Sequence, residues 1–592
     1  MLYDRWMRAS GEDITRKRNR HCLRVTARLF VVLLMFCAAG SDAAAQLFEG
    51  RPAAFTRADS LRGGLRPERT CYDVKFYRLN VRIDPDSQAI GGSNRMEFLV
   101  LEKTHLLQVD LFRNMEIDGV TLDDETGCDY RRDENAVFIA TPRTLRPGEL
   151  HSLLIVYHGK PRIARVPPWE GGFIWTKDST GGPWVAVACQ GTGASLWWPN
   201  KDHPADEPDS MAISVTVPPG LEDVSNGRLR SKRVHADGWT TFDWFVSSPI
   251  NNYDVTVNVG KFSHFSDVYA SGDTVTLDYY VLPQNLQKAR RQFLQVKDML
   301  RAYQHYFGPY PFPRDGYKLV ESPHLGMEHQ GCIAYGNGFL QGYRGRSSSA
   351  PGVMFDFIIV HESAHEWWGN SVTAADIADM WIHESFGAYA EALFVEYWHG
   401  RDSSLQYING KRPNLWNKAP MQGPYGVNKE GSGDMYDKGQ LVLNTLRSVI
   451  GNDSLWFSIL RGIQEEFRWK TTSYDALVAS ITRRAGMNLG PFFDQYFRHA
   501  ALPRLVATIT RRGEETTLRF RWDAEVREFA MPVIVHPAPG RSLTLSPVSS
   551  WTTLKLEDGA DPAAFSVDDT HYLFDAIITQ QYIDPHAAGP RL

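Results

Sequence analysis

The hydrophobic pattern of this chain changes twice along its length and divides it into three regions. From Tyr72 to about residue 266, apolar and polar residues alternate in short runs separated by Gly, Pro, Asn and Asp. This period of two predicts β-strands that are buried on one face. From about residue 267 to 500, apolar positions recur at helical spacing, apart from one strand-like stretch at residues 317–336. After Leu502, short alternating runs return and predict a small terminal β domain.

These regions predict a multidomain α+β protein, because a chain of 592 residues is too long for one ordinary hydrophobic core. We expect an antiparallel β domain at residues 71–266, a mainly helical domain at 267–500 and a β domain at 501–592. Residues 46–70 are polar and are expected to form a loose lead-in segment. Within the strand-like stretch at 317–336, residues 317–326 are expected to offer a strand edge for pairing with an extended ligand.

Residues 1–45 have the order of a secretory signal. A basic stretch at 16–28 precedes twelve apolar or small residues at 29–40, and three alanines end at Ala45. This order predicts cleavage near Ala45 and Gln46 and an exported protein, either periplasmic or secreted. An uncleaved anchor is the alternative, although a membrane span needs about 20 apolar residues. No other segment is long and apolar enough to cross a membrane.

The composition and net charge limit the kinds of molecule that this protein is expected to bind. Charged residues make up 22% and apolar residues 43% of the chain, which is typical of a soluble globular protein. The net charge of −5 gives no basic surface, so nucleic acid is not expected as a partner. The four cysteines after residue 45 form no CxxC pair, which argues against a thiolate metal site. Whether they form disulfides stays open.

The segment "HESAH" carries the candidate chemistry. His361 and His365 are four residues apart, so on a helix both imidazoles lie on one face and can bind one zinc ion. Glu362 lies on the adjoining face, where its carboxylate can act as general base towards a zinc-activated water. The alternative is a core helix with polar residues by chance, but a buried glutamate and two histidines without partners would be costly.

The segments around this HExxH motif point to a family. Glu384 follows His365 after 18 residues, in "HEWWGNSVT" and "MWIHESFGAYAE". Together they resemble the M1 family of zinc aminopeptidases, a branch of the gluzincins, over about residues 71–510. The resemblance implies one zinc ion per chain, held by His361, His365 and Glu384, with Glu362 as general base. It also implies an N-terminal β-saddle domain, a thermolysin-like catalytic domain and a C-terminal β-sandwich.

Tyr436 lies in "DMYDKGQ", which matches a Tyr-x-Lys-Gly pattern of the M1 family. A tyrosine at this place on its own is most often a packing residue. The resemblance implies instead that its hydroxyl donates to the oxyanion of the tetrahedral intermediate.

Two further segments bear on the substrate. "GMEHQ" resembles the Gly-x-Met-Glu-Asn motif of M1 enzymes, which implies that Glu328, with Gly326 and Met327 beside it, binds the substrate's α-ammonium group. His329 replaces the usual Asn. In "ACQG", Gln190 stands where M1 aminopeptidases usually have Glu, so Glu328 is expected to be the main anchor.

The predicted function is therefore a zinc metallopeptidase, most specifically an aminopeptidase acting on peptides with a free N-terminus. The alternatives are a zinc endopeptidase, an M1-like peptidase with altered amine recognition and a catalytically inactive M1-like scaffold. The leukotriene-hydrolase branch of the family resembles this chain in having Gln at the position of Gln190. Epoxide hydrolysis is therefore kept as a remote second activity. The side-chain preference and the oligomeric state cannot be read from these motifs.

Overall fold

The computed structural model describes residues 55–557 and 559–583, so the predicted signal at residues 1–45 lies outside the described part. The expectation of a loose lead-in is wrong for residues 56–70. They form two short helices, α1 (Arg57–Gly63) and α2 (Pro67–Thr70). Helix α1 begins with a capping box, in which the side chain of Thr56 accepts from the backbone N–H of Asp59 and Asp59 accepts from that of Thr56.

The first large region is built from strands, as the alternating pattern predicts. In chain order they are β1 (Tyr72–Asp84), β2 (Ala89–Val100), β3 (Thr104–Asp110), β4 (Met115–Leu122), β5 (Thr126–Gly127), β6 (Asp129–Asp133), β7 (Ala136–Leu145), β8 (Leu150–Gly159), β9 (Gly172–Lys177), β10 (Pro183–Ala188), β11 (Ser210–Val217), β12 (Glu222–Ser225), β13 (Arg228–Val234), β14 (Thr240–Val246) and β15 (Val257–Gly260).

These strands form an eight-stranded sheet in the order β13-β14-β11-β1-β2-β8-β4-β5 and two smaller sheets, β12-β15-β10-β9 and β3-β7-β6. Their inward residues share one hydrophobic core. The region is not purely antiparallel, because β1 pairs with β11 in parallel. This pair joins strands far apart in the sequence, which the local pattern cannot reveal.

A five-stranded sheet leads into the helical region. Its strands are β16 (Ser263–Ser271), β17 (Asp273–Val281), β18 (Tyr317–Glu321), β19 (Gly326–Met327) and β20 (Ile333–Tyr335), in the order β16-β17-β18-β20-β19. The predicted domain boundary at residue 266 thus falls inside β16. The expectation of a free edge is wrong for β18, because β17 and β20 pair with it on both sides. The two edge strands of this sheet are β16 and β19.

The helical region surrounds this sheet. Its helices are α3 (Leu286–Gln292), α4 (Gln295–Phe307), α5 (Phe357–Ala364), α6 (Trp381–His399), α7 (Arg401–Asn409), α8 (Asp434–Ile450), α9 (Asp453–Phe467), α10 (Tyr474–Ala485) and α11 (Gly490–Phe493). Strands β21 (Val372–Ala374) and β22 (Lys470–Thr472) pair in parallel among them. Helix α6 is buried continuously from Trp381 to Val395, so it passes through the core with its polar residues inside.

The last region forms two small sheets. Its strands are β23 (Arg504–Arg512), β24 (Glu515–Asp523), β25 (Val533–Ala538), β26 (Arg541–Leu545), β27 (Thr552–Lys555), β28 (Ser566–Val567) and β29 (Asp575–Ile583), in the orders β27-β24-β23-β29 and β26-β25-β28. Within residues 55–557 and 559–583, no helix has the length and apolar character needed to cross a membrane. The four cysteines of the described part are free thiols.

Candidate metal centre

Helix α5 presents the two histidines, and its N-terminus is held in place by Asp356. The side chain of this buried residue accepts hydrogen bonds from the backbone N–H of Ile358, at 3.1 Å, and from the hydroxyl of Tyr335 on β20, at 2.6 Å. The helix ends at Ala364, but His365 keeps a helical backbone as its C-cap. His361 and His365 therefore lie one turn apart on one face, as predicted.

The predicted ligands His361, His365 and Glu384 converge, because helix α6 carries Glu384 past the end of α5. Their ligand atoms all lie within 4.8 Å of one another. Glu384 Oε2 is 3.7 Å from His361 Nε2 and 3.5 Å from His365 Nε2. This oxygen is buried and has no hydrogen-bond partner. Two imidazoles and a carboxylate with an unsatisfied buried oxygen are a donor set that fits zinc.

Both imidazoles are oriented by their second nitrogen. His361 Nδ1–H donates to Glu391 Oε1 at 2.6 Å, and His365 Nδ1–H donates to the carbonyl of Trp368 at 2.9 Å. In each ring the Nε2 lone pair is left for the metal, which is the arrangement typical of zinc-binding histidines. The hydroxyl of Tyr407 donates to Glu391 and fixes that carboxylate in turn.

Sequence reasoning missed two residues of this centre, although both carry a signal. Glu391 and Gly387 lie seven and three residues after Glu384, so all three share one face of α6. A Cβ on Gly387 would lie 2.9 Å from Cε1 of His365. The glycine therefore makes room for the His365 imidazole against the helix.

The predicted general base, Glu362, directly follows the ligand His361 on helix α5. Its side chain is buried, and burial, together with the charges of Glu384 and Glu391, raises the pKa of its carboxyl to about 7. Gly326 on edge strand β19 approaches it so closely that a Cβ there would lie 2.3 Å from Glu362 Oε1. The carboxylate thus packs on backbone that only glycine leaves open.

The second carboxylate oxygen of Glu384, Oε1, takes part in a hydrogen-bonded group with Gln190 and Glu328. Gln190 Nε2 donates to Glu328 Oε1 at 2.6 Å and to Glu384 Oε1 at 3.0 Å. The Tyr253 hydroxyl also donates to Glu328 Oε1, at 3.2 Å. Burial and the charges of Glu384 and Glu362 raise the pKa of Glu328 well above its usual range. The amide of Gln190 therefore links the predicted amine anchor to a predicted metal ligand.

The hydroxyl of Tyr253 lies next to the imidazole of His383. His383 is buried, and its Nε2 accepts from the backbone N–H of Ala374 at 2.8 Å. Its Nδ1 therefore carries the proton and faces the Tyr253 hydroxyl at 3.5 Å. No spacing rule points to Tyr253, since it lies 75 residues from Glu328.

Tyr436 lies in the first turn of α8, with its ring centroid 6.2 Å from that of His361. Burial and the charges of Glu384, Glu430 and Glu328 raise the pKa of its hydroxyl well above 10, so it stays a proton donor at neutral pH. Met327 differs from the other predicted residues, because its side chain is buried in the core of the first β region. Only its backbone is placed to meet a substrate.

Comparison with known proteins agrees with this geometry. Residues 292–496 match the family model "Peptidase family M1 domain". Endoplasmic reticulum aminopeptidase 1 of Mus musculus is 25% identical over 309 residues, which are 50% of this chain and 33% of the relative. Glutamyl aminopeptidase of Homo sapiens is 25% identical over 339 residues, or 54% of this chain and 34% of the relative. The aligned part thus spans about a third of these curated relatives.

Solved structures share the fold. A variant of a two-domain M1 zinc metallopeptidase, bound to L-tryptophan, aligns with a TM-score of 0.61 at 21% identity and covers 76% of this chain and 97% of its own. A variant of an M1 zinc metallopeptidase from Deinococcus radiodurans, bound to a Tyr-Ser-Ala substrate, aligns with a TM-score of 0.60 at 22% identity, over 73% and 95%. The predicted multidomain α+β fold is confirmed.

Proposed function

Since residues 292–496 of this chain match the model of the peptidase family M1 domain, we propose that the protein is a zinc-dependent aminopeptidase that removes N-terminal residues from peptides. One observation carries the proposal. The carboxylate of Glu328 is joined through the Gln190 amide to Oε1 of Glu384, while Oε2 of Glu384 is the oxygen that faces the two histidines. A buried carboxylate beside a metal centre is what a substrate with a free α-ammonium group requires.

The residues divide the catalytic work between them. His361, His365 and Glu384 would hold the zinc ion, which as a Lewis acid acidifies water and polarises the scissile carbonyl. Glu362 takes a proton from the attacking water and returns it to the leaving amine. A carboxyl group whose burial raises its pKa to about 7 suits both transfers at neutral pH. The Tyr436 hydroxyl donates to the developing oxyanion.

Substrate orientation follows from Glu328 and edge strand β19. Tyr253 and Gln190 both donate to Oε1 of Glu328, while its Oε2 carries neither of these bonds. We place the α-ammonium group at this carboxylate. The free edge of β19 is available for pairing with the substrate backbone, and its residue Gly326 lies against Glu362. In this orientation the α-ammonium group of the substrate lies at Glu328 and the scissile bond lies near Glu362.

The test compares free and N-acetylated aminoacyl 4-nitroanilides, with a zinc chelator as control. We expect hydrolysis of the free amines only, and its loss on chelation. Equal hydrolysis of acetylated substrates would favour an endopeptidase, because such an enzyme needs no ammonium anchor. The Glu362→Gln variant should bind zinc and lose turnover. Retained turnover would remove Glu362 from the mechanism, and no activity in the wild type would favour a scaffold.

We propose further that the protein is exported, to the periplasm or the medium. The basic, apolar and small-residue order of residues 1–45 supports this. Mass spectrometry of the protein recovered from a bacterial host should find an N-terminus near Gln46. Cytoplasmic protein that retains residues 16–28 would contradict export.

A further inference from the structure

Helix α1 packs against two loops that lead to the substrate side of the metal centre. The first loop, residues 190–193, begins with Gln190, and the second contains Val427 and Asn428. The backbone N–H of Asn428 donates to the carbonyl of Asp59 at 2.9 Å. A Cβ on Gly63 would lie 2.1 Å from the carbonyl carbon of Val427, so helix and loop touch through their backbones.

Arg62 makes the connection to the first loop. Its Nη1 donates to the carbonyl oxygens of Gly191, at 3.0 Å, and of Thr192. Its Nε is 3.1 Å from Asp202 Oδ2, with only 17% of the Arg62 side chain and 6% of the Asp202 side chain exposed. One guanidinium group thus donates hydrogen bonds to two successive carbonyls and forms an ion pair with a buried carboxylate. This use of a rigid fork of donors is specific to arginine.

The loop is shaped to receive this guanidinium. Gly193 has a φ of 96°, which favours glycine, and a Cβ there would lie 2.1 Å from Arg62 Nη2. Asp202 also accepts from the hydroxyl of Ser195 at 2.6 Å, so it ties the far end of the loop to the same cation. Asn428 Nδ2 donates to the carbonyl of Gly191 at 3.2 Å and connects the two loops.

The carbonyls that Arg62 binds belong to the two residues directly after Gln190. The position of the Gln190 backbone is therefore set by a residue 128 positions earlier in the chain. The Gln190 amide reaches Glu328 at 2.6 Å and Glu384 at 3.0 Å, and these bonds depend on that backbone position. We propose that Arg62 is a positioning residue for the substrate-amine site, acting through Gln190. The inference rests on the proposed aminopeptidase function.

The test uses Arg62→Gln, with Arg57→Gln as the matched control. Arg57 lies on the same helix, but it is exposed and pairs with Asp133, away from the Gln190 loop. For a free aminoacyl 4-nitroanilide we expect Arg62→Gln to raise KM about tenfold, with kcat within threefold and zinc content unchanged. Arg57→Gln should match the wild type. Arg62→Lys keeps the charge but not the fork, so it should give an intermediate KM.

A double-mutant cycle separates positioning from general support of the fold. In a Gln190→Ala background, Arg62→Gln should raise KM by less than twofold, because its target is gone. An undiminished effect there would overturn the proposal. So would an unchanged KM in the single variant, or an equal effect of Arg57→Gln. If Arg62→Gln does not fold, Arg62→Lys and Asp202→Asn are put through the same cycle under the same criteria.

Hydrogen exchange gives a readout that does not depend on activity. In Arg62→Gln, the amides of residues 191–193 should exchange faster than in Arg57→Gln, while those of helix α5 should not change. Equal exchange in both variants would overturn the positioning role. If the wild type hydrolyses no aminoacyl substrate, the proposed function fails, and exchange still decides whether Arg62 orders the loop.

Discussion

Gly326→Ala tests how closely the general base depends on its surroundings. The strand conformation of Gly326 suits any residue, since its φ is not in the left-handed region. The new methyl group would lie 2.3 Å from Glu362 Oε1, against an ordinary contact of about 3.4 Å or more. The carboxylate must therefore move by about 1 Å. It is the far end of a flexible side chain, so the cost in folding stability should be small.

The cost in catalysis should be large, because a misplacement of about 1 Å in a reacting group can lower the rate about 100-fold. This corresponds to about 2.7 kcal/mol of activation free energy. We expect kcat on an aminoacyl 4-nitroanilide to fall by roughly that factor, with zinc content and melting temperature close to wild type.

Gly119→Ala is the matched control, because Gly119 lies in strand β4 and a Cβ there meets no atom within 4 Å. It should leave kcat and KM unchanged. A Gly326→Ala enzyme with kcat within threefold of wild type would refute the reasoning, since Glu362 would then tolerate displacement. Loss of zinc in that variant would also refute it, because the effect would have reached the ligands.

Three further substitutions probe other parts of the site. Glu391→Gln weakens the acceptor for His361 Nδ1 and should lower zinc affinity about 10- to 100-fold by chelator competition; unchanged affinity would contradict an orienting role. Tyr436→Phe removes the proposed oxyanion donor and should lower kcat about 100- to 1,000-fold with little change in KM; a loss confined to KM would place Tyr436 in binding only. Tyr253→Phe removes one hydrogen-bond donor to Glu328 and should raise KM about tenfold or more for substrates with a free amine. A proportional rise in KM for acetylated substrates would argue against a role in amine recognition.

Part of the candidate metal centre follows from local sequence spacing. His361 and His365 are one helical turn apart, so their spacing alone places them together. Glu384 was assigned through the resemblance of its segment to the M1 family. Glu391 was missed, but its spacing of seven residues from Glu384 would have placed it on the same face of helix α6. The three regions of the fold also followed from the period of their apolar residues, since burial on one face is a local property of strands and helices.

The contacts that Tyr253 and Arg62 make with residues far away in the sequence could not be predicted from the sequence. Tyr253 contacts Glu328 and Arg62 contacts the loop after Gln190 across long separations in the sequence, and no spacing rule links them. The position of β18 inside its sheet depends likewise on pairing with β17 and β20. Helix α1 did carry a signal, the Thr56 and Asp59 capping box, but its polar composition favoured a loop.

The charges around the site favour an aminopeptidase over an endopeptidase. Burial raises the pKa of Glu362 and Glu430 to about 7 and that of Glu328 well above its usual range. The charge of Glu384 also raises all three pKa values, which shows a negative field that a bound cation would relieve. Although burial opposes it, the hydrogen bond to Glu391 raises the pKa of His361 to about 9, a further sign of this negative field.

A metal ion held by His361, His365 and Glu384 would compensate the negative charge of Glu384 but not that of Glu328. Glu328 lies beyond Gln190, whose neutral amide donates a hydrogen bond to it but brings no charge. A substrate with an acylated N-terminus would bury this carboxylate without a counter-ion, which costs several kcal/mol when it is ionised. A free α-ammonium group would instead pair with it. Hydrolysis should therefore discriminate against N-acetylated substrates in kcat/KM, and Glu328→Gln should abolish most of that discrimination by slowing the free amines.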